Sequence, residues 1–367
     1  MSQAPSPQPV LARLAELRLA ELRAALACLA ELRAGQVRRL PATDACAEAW
    51  HQWSQPEIDA LRLAYAAGRP LLVQGEPGTG KTQLARAAAE WLVGWRLHAE
   101  TIHPRFEPHE LRYRFDAVRR LADAQAGAKR LDRHRYWRPG VLWRAFGWES
   151  ALPFMPVAER GGKPAGHVVL IDEIDKADSD LPNSLLDVLA QRSFQVEPVT
   201  EPIGGPAVQA PLIIITTNEE RDLPAAFRRR CIVLSLAAGD DYAAWLVDRG
   251  QAHFGRQPDE AGRALPLIDE TILRAAADQL VIDRGAVESH NRPKPGLAEY
   301  LDLLYALKAL FEHEADAAAR TAQQQAWLTR LSAYGYLKHQ VSDATSPAHQ
   351  PSQARQRMGA TDAPPAG

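Results

Sequence analysis

Four apolar runs punctuate the first two-thirds of the chain: Pro70-Leu71-Leu72-Val73, Val168-Val169-Leu170-Ile171, Pro211-Leu212-Ile213-Ile214-Ile215 and Ile232-Val233-Leu234. Each is continuous rather than alternating, which predicts strands buried on both faces, as in a parallel sheet. Between them the spacing changes to the helical period. Gln83–Leu92 reads as a helix, and so does 56–67, with Pro56 at its first position. Leu181, Leu185, Leu186 and Leu189 share one face of a third helix ending near Arg192. Ser193-Phe194-Gln195-Val196 alternates like one strand of a hairpin, with a turn at Glu201–Gly205. Residues 240–320 are helical throughout, with Trp245, Leu246, Ile272, Leu273, Leu280, Leu301, Leu304 and Leu307 as core. One more helix covers roughly 322–340. The pattern predicts an α/β domain with a parallel sheet flanked by helices over 50–238, then a small all-helical domain over 239–341.

The ends differ from this body. Residues 1–9 are rich in Ser, Gln and Pro, and 342–367 in Ala, Pro, Ser and Gln; both read as disordered. Residues 10–41 form a leucine-rich helical segment in which Leu-Ala-Glu-Leu-Arg occurs at 14–18, 19–23 and 29–33. Leu19, Leu22, Leu26 and Leu29 fall at 3-4-3 spacing, an a/d seam. It fits either a helix packed on its own domain or a coiled-coil handle for self-association or a partner. Residues 42–55 read as a link carrying Trp50, His51 and Trp53, and 95–145 as a long arm.

Composition narrows the partners. The net charge is −2, so the whole-chain field favours none. Within 105–144 there are 11 Lys/Arg against 5 Asp/Glu, with Tyr113, Tyr136, Trp137 and Trp143 interleaved. That mixture occurs in nucleic-acid surfaces, but it is local, and a solvated face accounts for it as well; nucleic acid is not the expected partner. Cys28, Cys46 and Cys231 have neither metal spacing nor a disulfide framework, which suits a reducing cytoplasm. No apolar run is long enough to span a bilayer, so no membrane partner is expected.

The chemistry starts at Gly75-Glu76-Pro77-Gly78-Thr79-Gly80-Lys81-Thr82-Gln83, a G-x-x-x-x-G-K-T loop between an apolar strand and a helix. The glycines let backbone N–H groups curl toward a polyphosphate, and the helix N-terminus adds its dipole. Lys81 brings a mobile charge to the β- and γ-phosphates, and the Thr82 hydroxyl faces Mg2+. About ninety residues on, Asp172-Glu173 closes an apolar strand. Asp172 is the second candidate metal ligand, and Glu173 the candidate to orient and activate the attacking water. Asn218 closes the next strand, where a side-chain amide can touch the γ-phosphate and that water. Arg228-Arg229-Arg230 precede the last strand; guanidinium stays charged and clamps phosphate oxygens. The guanine-reading Asn-Lys-x-Asp of GTPases is absent, since the only similar place reads Thr217-Asn218-Glu219-Glu220.

Together these residues resemble the AAA+ ATPases, and within them the MoxR-like branch. The resemblance is carried by the Walker A loop at 75–82, the Walker B strand at 168–173, the sensor-1 strand ending at Asn218 and the arginines at 228–230, with support from Leu111–Ala117 and Trp137–Trp143. It covers about 50–320. It implies a P-loop ATPase domain with a helical lid, ATP and Mg2+ as cofactors, and assembly into a ring, usually a hexamer, with ATP between subunits. Arg229 and Arg230 would then reach a neighbour's γ-phosphate. Such proteins work as chaperones that remodel a client, often one with a von Willebrand factor A domain. Relatives carry a sensor-2 arginine just after the proline opening a lid helix, whereas here Pro295 is followed by Gly296-Leu297-Ala298-Glu299, leaving Arg292 or Lys294 as candidates. The expected function is Mg-ATP hydrolysis coupled to client remodelling. The alternative is an ATP-gated scaffold with little turnover that recruits an effector through the N-terminal helix.

Overall fold

The structure, a computed structural model, describes residues 7–43, 46–127, 132–197, 199–205, 208–255, 267–288 and 294–331. The tail at 342–367 and the candidate base Arg292 lie outside the described residues. The chain divides into two units, 1–237 and 238–367.

The first unit opens with helix α1 (Pro7–Ala30), which starts inside the stretch expected to be disordered. Its second half packs on its own domain. Ala25 and Leu29 are buried, and Leu22 and Leu26 lie against the same core, while Leu17 and Leu19 remain 53% and 45% exposed. Trp91 Nε1 donates to the Cys28 carbonyl at 2.8 Å and pins α1 to the helix that follows the glycine-rich loop. The segment expected to be helical to residue 41 leaves the helix at Ala30 and ends in strand β1 (Val37–Leu40), which forms a hairpin with β2 (Ala49–Gln52) inside the expected link at 42–55. The hairpin escaped the pattern because Arg38, Arg39, His51 and Gln52 break the apolar alternation. Helix α2 (Gln55–Ala67) follows. Ser54 and Glu57 form its capping box, and Gly68 ends it in the left-handed region.

Strand β3 (Leu71–Gln74) leads through the loop into α3 (Lys81–Trp91) and then β4 (Trp95–Thr101). The expected arm at 95–145 needs correcting here. Its first seven residues, β4, are an edge strand of the main sheet, and its end is core: β6 (Trp137–Pro139) and α5 (Val141–Phe146) bury Trp137, Leu142, Trp143 and Phe146. Only β5 (Tyr113–Phe115), which pairs with β6, and α4 (Ala117–Gln125), none of whose side chains is buried, fit the description of an arm. Short helices α6 (Trp148–Ala151) and α7 (Val157–Arg160) lead to β7 (Gly166–Asp172) and α8 (Asp180–Gln191). The hairpin β8 (Ser193–Phe194) and β9 (Ile203–Gly204) precedes β10 (Leu212–Thr217), and one turn of helix, α9 (Ala225–Arg228), precedes β11 (Ile232–Ser235).

The central sheet runs β11-β3-β10-β7-β4, all parallel. Its middle strands are buried on both faces, as their unbroken apolar runs predict. Edge strand β4 reads Trp-Arg-Leu-His-Ala-Glu-Thr, too polar to stand out. Its inward His98 is 5% exposed and meets His167 of β7, ring nitrogens 2.9 Å apart. Burial first, then the neighbouring His167, Arg144 and Arg96 charges, push His98 down to about 3; burial and Arg96 push His167 down to about 4. An unfolded histidine takes its proton near pH 6.5, so below that the unfolded chain binds more protons and stability falls with pH. The pair is expected to add up to about 2.7 kcal/mol per pH unit to acid destabilisation between pH 6.5 and 4. Melting curves of wild type and His167→Gln across that range check this: the variant should show the shallower slope.

The second unit is all-helical: α10 (Tyr242–Phe254), α11 (Glu270–Glu288), α12 (Leu297–Phe311) and α13 (Ala317–Leu331). Leu246, Ile272, Leu273, Leu280, Leu304 and Leu307 form its core. Tyr300 donates to the Leu273 carbonyl at 3.0 Å and fills the space against Gly250, where a Cβ would stand 2.7 Å from the phenol oxygen. No helix among the described residues is long and apolar enough to cross a membrane.

Candidate nucleotide site

Parallel strands bring their carboxyl ends to one edge, where open α/β sheets bind ligands. There β3 passes into the glycine-rich loop, β7 ends in Asp172-Glu173 and β10 ends beside Asn218, so the sheet brings the three motifs together. Only glycine fits position 75. Its φ is +151°, and a Cβ would stand 2.5 Å from the Leu236 carbonyl oxygen. Gly80, at φ +93°, turns the chain into α3 with no side chain capping the helix, so the first amides of α3 are left for an anion. Glu76 and Pro77 are exposed at the loop tip, Thr79 bonds back to the Glu76 carbonyl at 2.9 Å, and Gln83 is half-buried in the first turn.

Lys81 is 6% exposed, and its ammonium donates to the Gly75 and Glu76 carbonyls at 2.8 and 2.7 Å. Burial lowers its pKa; Asp172, Asp175, Glu173 and Glu219 push the other way. The Thr82 hydroxyl lies 3.0 and 3.1 Å from the two Asp172 carboxylate oxygens. This pair of hard oxygen donors fits a divalent cation such as Mg2+.

The register β10 to β7 sets Ile215 level with Ile171, which puts Thr216 beside Asp172. The Thr216 hydroxyl donates to Asp172 Oδ1 at 2.6 Å and accepts the Glu173 amide at 2.9 Å. Sequence reasoning missed Thr216. Its only signal in the sequence is the polar pair Thr216-Thr217 closing an apolar strand, and the structure buries both, at 0% and 2% exposure. Glu173 adopts a left-handed backbone, φ 59° and ψ 49°, costly for a residue with a Cβ and found where function over-determines the chain. Asn218 Nδ2 donates to Glu173 Oε1 at 3.2 Å, so the candidate base is oriented by the candidate sensor.

The arginines do not join this group. Arg228, Arg229 and Arg230 are exposed at the end of α9 and have no side-chain hydrogen bond or ion pair among the described residues. They precede β11, whose Ile232 donates to the Pro70 carbonyl at the start of β3. They thus lie at the amino edge of the sheet, separated from the loop by the four-residue strand β3, about 13 Å. Lys294, the other candidate base, belongs to the second unit.

A family model, the AAA domain of the dynein-related subfamily, matches residues 70–231. Among solved structures the chain is similar to a candidate ATPase from Cytophaga hutchinsonii ATCC 33406, at 13% identity over 84% of this chain and 76% of that one, with a TM-score of 0.38. It is also similar to two single-residue variants of RuvB from Thermotoga maritima. One is 15% identical over 75% of this chain and 69% of that one, TM-score 0.38. The other is 16% identical over 74% and 66%, TM-score 0.36. Among curated proteins the sequence finds no match. The matched span runs from the residue before β3 to the residue before β11 and contains the loop, Asp172, Glu173 and Asn218, and the parallel sheet with its flanking helices is the AAA+ P-loop fold.

Proposed function

We propose that this chain is an Mg2+-dependent ATP hydrolase of the MoxR-like kind that works as a ring and remodels a partner protein. The observation that carries the reading is the separation of the arginines from their own P-loop, at opposite edges of one sheet. Exposed and unpaired among the described residues, Arg229 and Arg230 suit a phosphate presented by another copy, and a head-to-tail contact whose rotation closes makes a ring. Thr82 and Asp172 would hold the Mg2+, which when bound neutralises charge on the β- and γ-phosphates. Lys81 would leave its loop carbonyls for the phosphates. Glu173 would take the proton of the attacking water, with Asn218 holding the carboxylate in place.

Client contact falls to α4, none of whose side chains is buried. Val118 and Leu121, 81% and 60% exposed, stand one helical turn apart with Arg119 and Arg120 beside them. A von Willebrand factor A-domain protein is the partner class the MoxR reading suggests. The first test is ATP turnover against protein concentration. Specific activity is expected to rise with concentration, because the complete site needs two copies. A wild type that binds ATP at every concentration and never hydrolyses it would leave the ATP-gated scaffold in its place.

A further inference from the structure

Asp175 has figured so far only as one of the charges acting on Lys81, yet it is the most deeply buried carboxylate near the site, 2% exposed. It sits in the helical turn Ile174–Lys176 that follows Glu173. Its Oδ2 accepts two backbone amides from the loop after β10, Asn218 N at 3.1 Å and Glu220 N at 3.0 Å. Its Oδ1 has no hydrogen-bond partner among the described residues. The next residue, Lys176, grips the same loop from outside, donating to both Glu220 carboxylate oxygens at 2.5 and 2.6 Å. Between the two anchored amides, Glu219 is held at φ 60°, the second left-handed glutamate of the site. Two neighbouring strand ends, each with a left-handed residue, are thus stapled together by Asp175, with the Lys176–Glu220 pair on the outside.

We propose that Asp175 is a positioning residue that sets Asn218 against Glu173. A buried carboxylate leaves one oxygen unpaired only at a cost. The two amides recover part of that cost only while the 218–220 loop keeps this conformation. Asn218 is the first residue of that loop, and its side chain reaches Glu173 from an amide that Asp175 fixes. The outer Lys176–Glu220 pair is more exposed and contributes little. This inference rests on the hydrolase reading for its consequence, but the staple itself can be tested without turnover.

The experiment uses the full chain in two arms. In hydrogen exchange, Asp175→Ala should speed exchange of the 218 and 220 amides by about tenfold or more, the value of hydrogen bonds to a charged acceptor. Asp175→Asn, which keeps an oxygen for both amides, should change it little, and Lys176→Ala should leave the 218 amide unchanged. In steady-state ATP turnover, Asp175→Ala should lower kcat by about 10- to 100-fold, the cost of displacing a catalytic group by about 1 Å, with little change in KM. Asp175→Asn should rescue it. Asp175→Ala combined with Asn218→Ala should be no slower than Asn218→Ala alone. Unchanged exchange in Asp175→Ala, or losses that multiply in the double variant, would overturn the proposal. So would an Asp175→Asn protein whose loop is protected but whose turnover is lost, since that would make the charge the active feature. A wild type without turnover would sink the hydrolase reading, while the exchange arm would still decide whether Asp175 holds the loop.

Discussion

Glu173→Gln is expected to bind ATP within about threefold of wild type and to hydrolyse it about 10²–10⁴-fold more slowly, the usual worth of a positioned general base. The substitution is close to isosteric. The left-handed backbone at φ 59° is no harder for glutamine than for glutamate, and the amide oxygen can still accept from Asn218 Nδ2, now 3.2 Å from Oε1. Thr216 continues to bond the residue-173 amide through its hydroxyl, so the end of β7 keeps its geometry. What disappears is the ability to take a proton. Phosphate release measured beside equilibrium binding of a fluorescent ATP analogue separates the two properties. Turnover within twofold of wild type would show that Glu173 is not the base. Weakened binding would point to a disturbed strand end rather than to lost proton transfer.

That experiment targets a residue the sequence identifies by type and place, and the contrast with its neighbours shows what a sequence can convey. Central strands such as Val168–Ile171 and Leu212–Ile215 are legible because burial on both faces demands unbroken apolar residues. Edge strand Trp95–Thr101 is not, because it is polar at every second or third position. One of those positions, His98, is buried against His167 of the neighbouring strand, their ring nitrogens 2.9 Å apart. The hairpin at 37–52 is lost for the same reason. In the site, glycine spacing, Lys81, Asp172, Glu173 and Asn218 are readable one motif at a time. Thr216 and Asp175 are not, since each gains its role from a neighbouring strand, and strand order is a property of the fold. The leucine seam of α1 fits two readings because it is divided in space. Leu26 and Leu29 serve the domain core, whereas Leu19 stands in solvent.

Arg229→Ala/Arg230→Ala is expected to match Glu173→Gln in severity, about 10³-fold or more in kcat, the range measured when an arginine finger is removed. Binding of ATP should survive, because neither side chain approaches the loop of its own chain: β3 and its four residues stand between them. The decisive measurement is the mixture of the two inactive proteins. If the arginines serve another copy, a mixed assembly contains contacts in which an intact Glu173 faces intact arginines. With random assembly of equal parts, roughly a quarter of head-to-tail interfaces qualify, so activity should recover to about that fraction. Arginines that act within their own chain predict no recovery at any ratio, since no single polypeptide in the mixture has both. Recovery that grows with total concentration would further tie the complete site to association. The fold makes this outcome the natural one. A parallel sheet gathers every strand's carboxyl end at one edge, so a group placed just before a strand is delivered to the opposite edge, away from the phosphate loop of its own chain.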